Sequence, residues 1–189
     1  MDNFHELASC RQSDRAYTDQ AVEKEKIERI LSTVRLSPSA CNAQPWKFIV
    51  VDNAELKNKI ADATSNKVLG MNHFTKQAPV HIVVIEEKAN FTSNFGAWIK
   101  KTHFPHIDLG IATAHLCLSA ADEGLGTCIM GWFDEKKVKE LLHIPKSRKV
   151  ALIITLGYSA QTLRKKQRKE MSEIVAYNSY NCYQKSKEY

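Results

Sequence analysis

Residues that could bind an anion lie in two segments at opposite ends of the sequence. The 11–15 segment, RQSDR, offers two guanidinium groups, an amide and a hydroxyl within five residues. The 164–169 segment, RKKQRK, places five cations in six positions. Guanidinium groups bind phosphate oxygens in pairs, and lysine adds a point charge. Either segment alone is typical of a solvated surface, but together they predict a site for a phosphate group or a nucleic acid.

A third polar stretch, SPSACNAQ at 37–44, connects a predicted helix to a predicted strand. A plain connection needs one or two turn residues, whereas this one carries two serines, a proline, an asparagine and a glutamine. The excess of hydrogen-bonding groups suggests a binding role for the 37–44 loop beyond that of a connection.

Several other chemistries are excluded by missing motifs. The chain contains no G-x-x-x-x-G-K-[ST] loop and no G-x-S-x-G nucleophile turn. Gly124-x-Gly126 is followed by Ile129 where a dinucleotide fingerprint needs glycine, and it ends a predicted helix instead of opening one. None of the cysteines has the local signature of a nucleophile.

Histidines raise the question of a metal site. His103, His106 and Asp108 are close in sequence, but Pro105 and the start of a helix are typical of a surface turn. No further ligand has motif spacing, so we expect no metal. His81 and His115 lie in apolar stretches and are expected to be core residues.

The composition is that of one globular domain covering residues 1–189. The chain is 43% hydrophobic and 25% charged, with a net charge of +6. It has no apolar run of membrane-spanning length and no basic segment followed by an apolar one at its start. The five cysteines form no C-x-x-C pair, which favours free thiols in a reducing cytoplasm.

Helices and strands alternate, with connections of very unequal length. Hydrophobic periodicity predicts helices at 3–10, 23–36, 54–65, 105–123 and 134–142, and strands at 46–51, 80–86, 127–131 and 150–156. Region 66–78 is polar, and region 88–103 is expected to be irregular or partly helical. This order predicts one α+β or mixed α/β domain. The 105–123 helix is apolar nearly all round, which predicts burial in the core or in a subunit interface.

Four segments, in this order, resemble the FMN-dependent nitroreductase family and span nearly the whole chain. They are RQSDRAY at 11–17, LSPSACNAQPWKFIVV at 36–51, EGLGTCIMGWF at 123–133 and LGYSAQTLRKKQRKEMSEIVAYN at 156–178. The pattern P-S-x-x-N-x-Q-P-W-x-F in the second segment is the most specific. The chain is short and therefore resembles the compact members.

The resemblance implies an α+β fold with a mixed, largely antiparallel central sheet flanked by helices, in an obligate homodimer. It also implies that the 37–44 loop reaches the flavin ring from the second subunit. The tail at 170–189 would wrap the partner, and the 105–123 helix would form much of the interface. Proline around the basic segment is common in this family but absent from 164–170.

The resemblance also implies which residues hold FMN. Arg11 and Ser13, joined by Lys166 and Arg168, would bind the phosphate, and Gln12 would contact the ribityl chain or nearby phosphate oxygens. Arg15 would stabilise negative charge at the N1–C2=O side of the ring, and a backbone N–H from 129–131 would lie near N5 and O4. The full set is Arg11, Gln12, Ser13, Arg15, Pro38, Ser39, Ala40, Asn42, Ile129, Met130, Gly131, Lys166 and Arg168.

The activity implied by the resemblance is transfer of reducing equivalents from NAD(P)H through FMN to a flat acceptor, such as a nitroaromatic or a quinone. Turnover would follow a ping-pong mechanism, and no protein nucleophile would take part. We expect neither a nucleic acid nor a membrane as a partner. Two alternatives stay open. One is a flavin-binding sensor that does not turn over. The other is a nucleic-acid-binding protein that uses the basic segment with Tyr177, Tyr180 and Tyr183.

Overall fold

Four antiparallel strands form the centre of the fold. The computed structural model describes residues 4–65, 71–88 and 103–180. Its strands are β1 (Trp46–Val51), β2 (Val80–Glu86), β3 (Gly126–Met130) and β4 (Lys149–Gly157), in the spatial order β1-β2-β4-β3. All three strand pairs are antiparallel, and the only parallel contact of 11–15 with this sheet in the described ranges is an isolated bridge between Ser13 and Thr127. The predicted α+β class with a largely antiparallel sheet is therefore confirmed.

The helices lie within two residues of the predicted bounds. They are α1 (Phe4–Cys10), α2 (Lys24–Val34), α3 (Ala54–Thr64), α4 (Phe104–Asp122), α5 (Glu135–Leu141) and the short α6 (Met171–Ile174). Two 3₁₀ turns cover Ala40–Asn42 and His73–Gln77. The side chains of Asn53 and Asp134 cap α3 and α5, accepting hydrogen bonds from backbone N–H groups at 2.9 and 3.0 Å. The sequence analysis had not predicted α6.

The sheet is covered on both faces, and β2 shows this most clearly. Val80, Ile82 and Val84 pack in one core with α2 and α4. Val83 and Ile85 point to the opposite face and pack in a second core, which includes residues of α3 and α5. This arrangement follows from the period of two in a strand, and it explains why β2 reads as a continuous apolar run.

Helix α4 is buried on one side only. Leu109, Ala112 and Leu116 pack in the core, as expected for one side of this apolar helix. Another stripe, formed by Ile107, Ile111, Ala114 and Leu118, is exposed or half-buried in the single chain. Ile107 alone keeps 53% of its surface accessible. The apolar character all round α4 therefore exceeds what one chain can bury.

Some predictions fall outside the described residues. These are most of the 88–103 segment, part of the 66–78 region, and the end of the tail beyond 180, including Cys182 and Tyr183. Within the described ranges, no helix is both long and apolar enough to cross a membrane.

Candidate functional site

The two basic segments meet around one cavity of about 410 Å³. Six cationic side chains line it, and none of its described lining residues is acidic. The lining residues are Arg11, Gln12, Ser13, Arg15, Arg164, Lys165, Lys166, Gln167 and Arg168. We call this cavity the basic pocket. It brings together all six residues that were expected to contact the phosphate end and the N1 side of the cofactor, from positions more than 150 residues apart.

Hydrogen bonds between the segments fix the shape of the basic pocket. The Gln12 amide donates to the carbonyl of Thr162 at 3.2 Å, and its oxygen accepts from the backbone N–H of Arg164 at 3.1 Å. The Arg164 guanidinium donates to the Ser13 carbonyl, and Lys166 Nζ donates to the Arg11 carbonyl at 2.6 Å. Gln12 and Arg164 therefore join the two segments, and their side chains are largely engaged by the protein itself.

The electrostatics of the basic pocket favour an anion. Burial, and then the nearby charges of Arg11 and Arg168, lower the pKa of Lys166. In the described part of the chain, no hydrogen bond or ion pair engages the guanidinium groups of Arg11 and Arg15. Converging cations with unengaged donors match the chemistry of a phosphate group, which would relieve their repulsion and accept their hydrogen bonds.

A buried carboxylate, Asp14, supports the 11–15 segment from behind, and the sequence analysis assigned it no role. Its Oδ1 accepts from Ser159 Oγ at 2.6 Å and from Gln12 Nε2 at 2.9 Å. Its backbone N–H donates to the Thr127 carbonyl at 2.9 Å. Gly126 permits this approach, because a Cβ there would lie 2.6 Å from Asp14 Oδ2. Asp14 is therefore a positioning residue for the basic pocket.

The open edge of β3 adds backbone donors beside the pocket. The Thr127 carbonyl faces the 11–15 segment, which lies along the edge of the sheet. Peptide groups alternate sides along a strand, so the N–H of Ile129 points to the same outer edge. Met130 is 3% exposed, and its side chain lies in the core. By the same alternation the backbone N–H of Met130 points toward β4. The N–H of Ile129 is therefore the one within β3 that can serve the predicted role of 129–131, and Gly131 follows directly after the strand.

The 37–44 loop has an unusual backbone. Cys41, Asn42 and Gln44 have φ values of 51°, 52° and 47°, in the left-handed region that non-glycine residues rarely adopt. Part of its polar character serves to hold this shape, because the N–H of Gln44 donates to Ser39 Oγ at 3.0 Å and its amide donates to Asn42 Oδ1 at 3.1 Å. Such conformations persist only where the surroundings enforce them.

Asp108 of α4 is the main outside support of this loop. Its side chain is buried, and Oδ1 accepts from the backbone N–H of Ala40 at 3.0 Å. Asp108 had been considered beside His103 and His106 as a metal ligand, but this hydrogen bond turns it toward the loop. The exposed residues Pro38 and Asn42 lie on the loop surface, where Ser39 and Ala40 are half-buried.

The loop and the basic pocket lie at opposite ends of α4 in one chain. Asp108, near the start of α4, holds the loop. Ala121, near its end, lines a cavity of about 270 Å³ together with Arg11 and Gly126. With a rise of 1.5 Å per residue, Asp108 and Ala121 are about 20 Å apart. The predicted site residues therefore form two separate groups within a single chain.

The structure is thus an α+β fold with a cavity lined by cationic side chains at one edge of its sheet. The family model described as "Nitroreductase family" matches residues 8–158, which is most of the chain. The chain belongs to the nitroreductase family.

Individual relatives agree with this assignment. The chain is 27% identical over 200 residues to the oxygen-insensitive NADPH nitroreductase of Helicobacter acinonychis, covering 92% of this chain and 94% of the relative. It is 26% identical over 180 residues to the FMN reductase [NAD(P)H] of Bacillus subtilis, covering 89% and 70%. The solved structure of the FMN-dependent nitroreductase of Clostridium difficile R20291 superposes with a TM-score of 0.71 at 30% identity, covering 92% of this chain and 98% of that chain.

Proposed function

We propose that the protein is an FMN-dependent oxidoreductase that passes reducing equivalents from NAD(P)H to a flat acceptor, such as a nitroaromatic or a quinone, in a ping-pong cycle. The observation that carries the proposal is the basic pocket, whose unengaged guanidinium groups suit the FMN phosphate. Relatives named for FMN and for NAD(P)H support the choice of cofactor and donor. When bound, FMN supplies the hydride acceptance and electron delivery that the protein itself lacks.

The basic pocket provides the binding groups. Arg11 and Ser13 from one segment, with Lys166 and Arg168 from the other, hold the phosphate. Gln12 is engaged by Thr162 and Arg164, so it acts mainly by fixing these donors beside the ribityl chain. Fixed donors do not need to reorganise when an anion arrives, and this makes each charge-assisted hydrogen bond more effective.

Two further groups adjust the flavin ring. Arg15 lines the basic pocket and would stabilise negative charge on the N1–C2=O side of the flavin, which would raise the reduction potential of the cofactor. The outward-facing N–H of Ile129, or that of Gly131 after the strand, would donate a hydrogen bond to the flavin and orient the ring. No protein side chain acts as a nucleophile.

The site is completed by a second copy of the chain. Pro38, Ser39, Ala40 and Asn42 lie at the opposite end of α4 from the basic pocket, and they would border the ring of the other subunit's cofactor. A two-fold axis that packs α4 antiparallel to its copy places the start of one helix beside the end of the other. The exposed stripe of Ile107, Ile111, Ala114 and Leu118 supplies the apolar contact for this packing.

The remaining parts of the chain fit this arrangement. Residues 1–189 form a single domain, and the tail at 170–189 packs on the partner, where the exposed side chains of Met171 and Ile174 are covered. Cys10, Cys117 and Cys128 are free thiols, as a reducing cytoplasm favours.

Initial-rate kinetics test the proposed reaction. Protein saturated with FMN is assayed with NADH or NADPH and with either a nitroaromatic or a quinone, at several fixed concentrations of the second substrate. Parallel double-reciprocal lines are expected, since the nicotinamide leaves before the acceptor binds. Lines that intersect would contradict the ping-pong cycle, and an absence of NAD(P)H oxidation would contradict the proposed activity.

Light scattering of the FMN-loaded protein tests the shared site separately. The mass of a dimer is expected, and the mass of a monomer with bound FMN would contradict the contribution of the second subunit.

A further inference from the structure

Three potential metal ligands meet where β2 ends and α4 begins. Glu86 Oε1 lies 2.7 Å from His103 Nε2, and Glu86 Oε2 lies 3.2 Å from His106 Nε2. The two imidazole rings meet edge to face with centroids 4.2 Å apart. This carboxylate–histidine cluster is distinct from the basic pocket and from the 37–44 loop, and the proposed activity does not use it.

The geometry of the cluster is close to that of a coordination sphere. One ligand atom from each of Glu86, His103 and His106 lies within 4.8 Å of the other two. Ligand atoms around a tetrahedral Zn²⁺, bound at about 2.0–2.2 Å, are about 3.4 Å apart. Small side-chain rotations would therefore bring all three atoms onto one ion.

The cluster also has an unsatisfied buried atom and an open side. Within the described ranges, Glu86 Oε2 is buried and accepts no hydrogen bond, because His106 lies near it without bonding geometry. The Glu86 side chain is only 15% exposed, whereas those of His103 and His106 are each 55% exposed. An ion held between the buried Glu86 carboxylate and the two exposed imidazoles would face solvent on its outer side. Water could therefore complete its coordination there.

Neighbouring residues do not compete for this role. Glu87, the next carboxylate along the chain, is paired with Arg148 at 2.6 Å. Asp108 is turned toward Ala40. The strand pairing of Glu86 with Trp46 and with Lys149 fixes its backbone, so that its carboxylate is held in place before an ion arrives.

We propose that Glu86, His103 and His106 bind one borderline divalent metal ion, of the Zn²⁺ class, with water completing its coordination. Two imidazoles and one carboxylate suit Zn²⁺ and related first-row ions better than Mg²⁺ or Ca²⁺, which prefer oxygen ligands. No sequence motif marks this site, because Glu86 precedes His103 by 17 residues and belongs to another element, and for this reason the sequence analysis expected no metal.

The ion would connect the two elements that border the 37–44 loop. The N–H of Glu87 donates to the Pro45 carbonyl at 3.0 Å, directly after the loop, and Asp108 holds Ala40 within it. A metal that joins the end of β2 to the start of α4 therefore stabilises the folded protein around the loop. It has no part in binding the FMN phosphate.

Zn²⁺ titration by calorimetry tests the proposal on tag-free, FMN-loaded protein that has been stripped with EDTA and placed in phosphate-free buffer. Wild type is expected to bind one Zn²⁺ per chain. His103→Ala and His106→Ala are each expected to weaken binding by at least tenfold. His73→Ala removes an exposed histidine from a different surface and serves as the control, with unchanged binding expected. Failure of wild type to bind, or equal binding by all four proteins, would overturn the proposal.

Thermal unfolding gives an independent readout, because an ion that binds only the folded state raises its melting temperature. Zn²⁺ is expected to raise the melting temperature of wild type and His73→Ala, but not that of the His103→Ala/His106→Ala double variant. These histidines are half exposed, so their loss should leave the fold intact. Glu86→Gln keeps the shape of the side chain and is expected to behave like the double variant. An equal rise in the double variant would overturn the assignment.

Discussion

The two ends of α4 carry two differently built regions. Near its C-terminal end lies the basic pocket, where six cations converge and no described lining residue is acidic. Near its N-terminal end lies the 37–44 loop, which has no charged side chain and three residues in the left-handed region. Each region rests on one buried carboxylate, Asp14 for the pocket and Asp108 for the loop. A buried carboxylate thus supports both the cationic basic pocket and the uncharged loop with its unusual backbone.

This difference has a measurable consequence. Attraction between a cationic pocket and an anionic ligand weakens as salt is added, because ions screen exposed charges over about 10 Å at 0.1 M. Contact between a shaped backbone and a flat ring does not weaken in this way. Changes in the basic pocket should therefore alter the salt dependence of FMN binding, whereas changes in the loop should not.

The largest expected effect is the pH dependence of the free energy of unfolding, and it comes from a histidine in the sheet between the two ends of α4. The basic pocket and the 37–44 loop should be compared in the pH range where this histidine is neutral. His81 on β2 is fully buried, and burial lowers its pKa from 6.5 to about 4. Above pH 6.5 its ring is neutral in both states. As the pH falls toward 4, the unfolded chain takes up a proton that the folded chain excludes, and the free energy of unfolding drops by about 3 kcal/mol in total.

Urea unfolding at several pH values checks this contribution. The midpoint of wild type is expected to fall between pH 6.5 and 4 more steeply than that of His81→Leu, which has no titrating group at this position. Parallel pH profiles for the two proteins would contradict the assignment to His81.

The next largest effect is expected in the basic pocket. Arg11→Ala removes a charge-assisted hydrogen bond to the phosphate and should weaken FMN binding by about 1.5–3 kcal/mol, or roughly 10- to 150-fold. Lys136→Ala removes an exposed cation from α5, away from the pocket, and is the matched control. Fluorescence titration of FMN at low and high salt measures the affinity of each variant and its salt dependence.

The slope of affinity against salt should be smaller for Arg11→Ala than for wild type and for Lys136→Ala. Unchanged FMN affinity in Arg11→Ala would contradict the assignment of the basic pocket to the phosphate.

A somewhat smaller effect is expected at Asp14. Asp14→Ala removes the acceptor that the Ser159 hydroxyl and the Gln12 amide share, and the Gln12 amide keeps only its bond to the Thr162 carbonyl. This loss should lower the free energy of unfolding by about 2 kcal/mol and also weaken FMN binding. Asp14→Asn keeps one acceptor oxygen and should lose less of both. Chemical denaturation and FMN titration of the two variants provide the comparison. Full FMN affinity in folded Asp14→Ala would show that Asp14 does not position the pocket.

The smallest effect is expected at the loop. Asp108→Ala deprives the N–H of Ala40 of its acceptor, at a cost of about 1 kcal/mol, whereas Asp108→Asn retains an oxygen. Asp108→Ala should reduce kcat/KM for the acceptor more than Asp108→Asn does, while the salt dependence of FMN binding stays that of wild type. If Asp108→Ala changed the salt dependence of FMN affinity, the loop would not differ from the basic pocket in the way proposed.

The fold was largely predictable because most of its helices and strands have short-range sequence signals. The apolar run of β2, the periodicity of α2 and the caps Asn53 and Asp134 each act within a few residues, and the structure confirms them. The short α6 was missed because four residues give too little periodicity to recognise.

The candidate site was predictable only in part. Motifs and family resemblance indicated the cationic residues, but not the groups that support them. The contacts of Asp14 with Ser159, of Asp108 with Ala40 and of Glu86 with His103 each join separate elements. The spacing of residues in the sequence does not predict such contacts, because they depend on how the sheet and α4 bring distant residues together.

The most direct test of the proposed function is the visible spectrum of the purified protein, recorded under anaerobic conditions before and after addition of NADH or NADPH. The account predicts flavin absorption bands that bleach with at least one of the two nicotinamides. Bands that persist with both would contradict NAD(P)H as the electron donor. A colourless protein that also fails to take up added FMN would contradict the central claim that the basic pocket binds this cofactor.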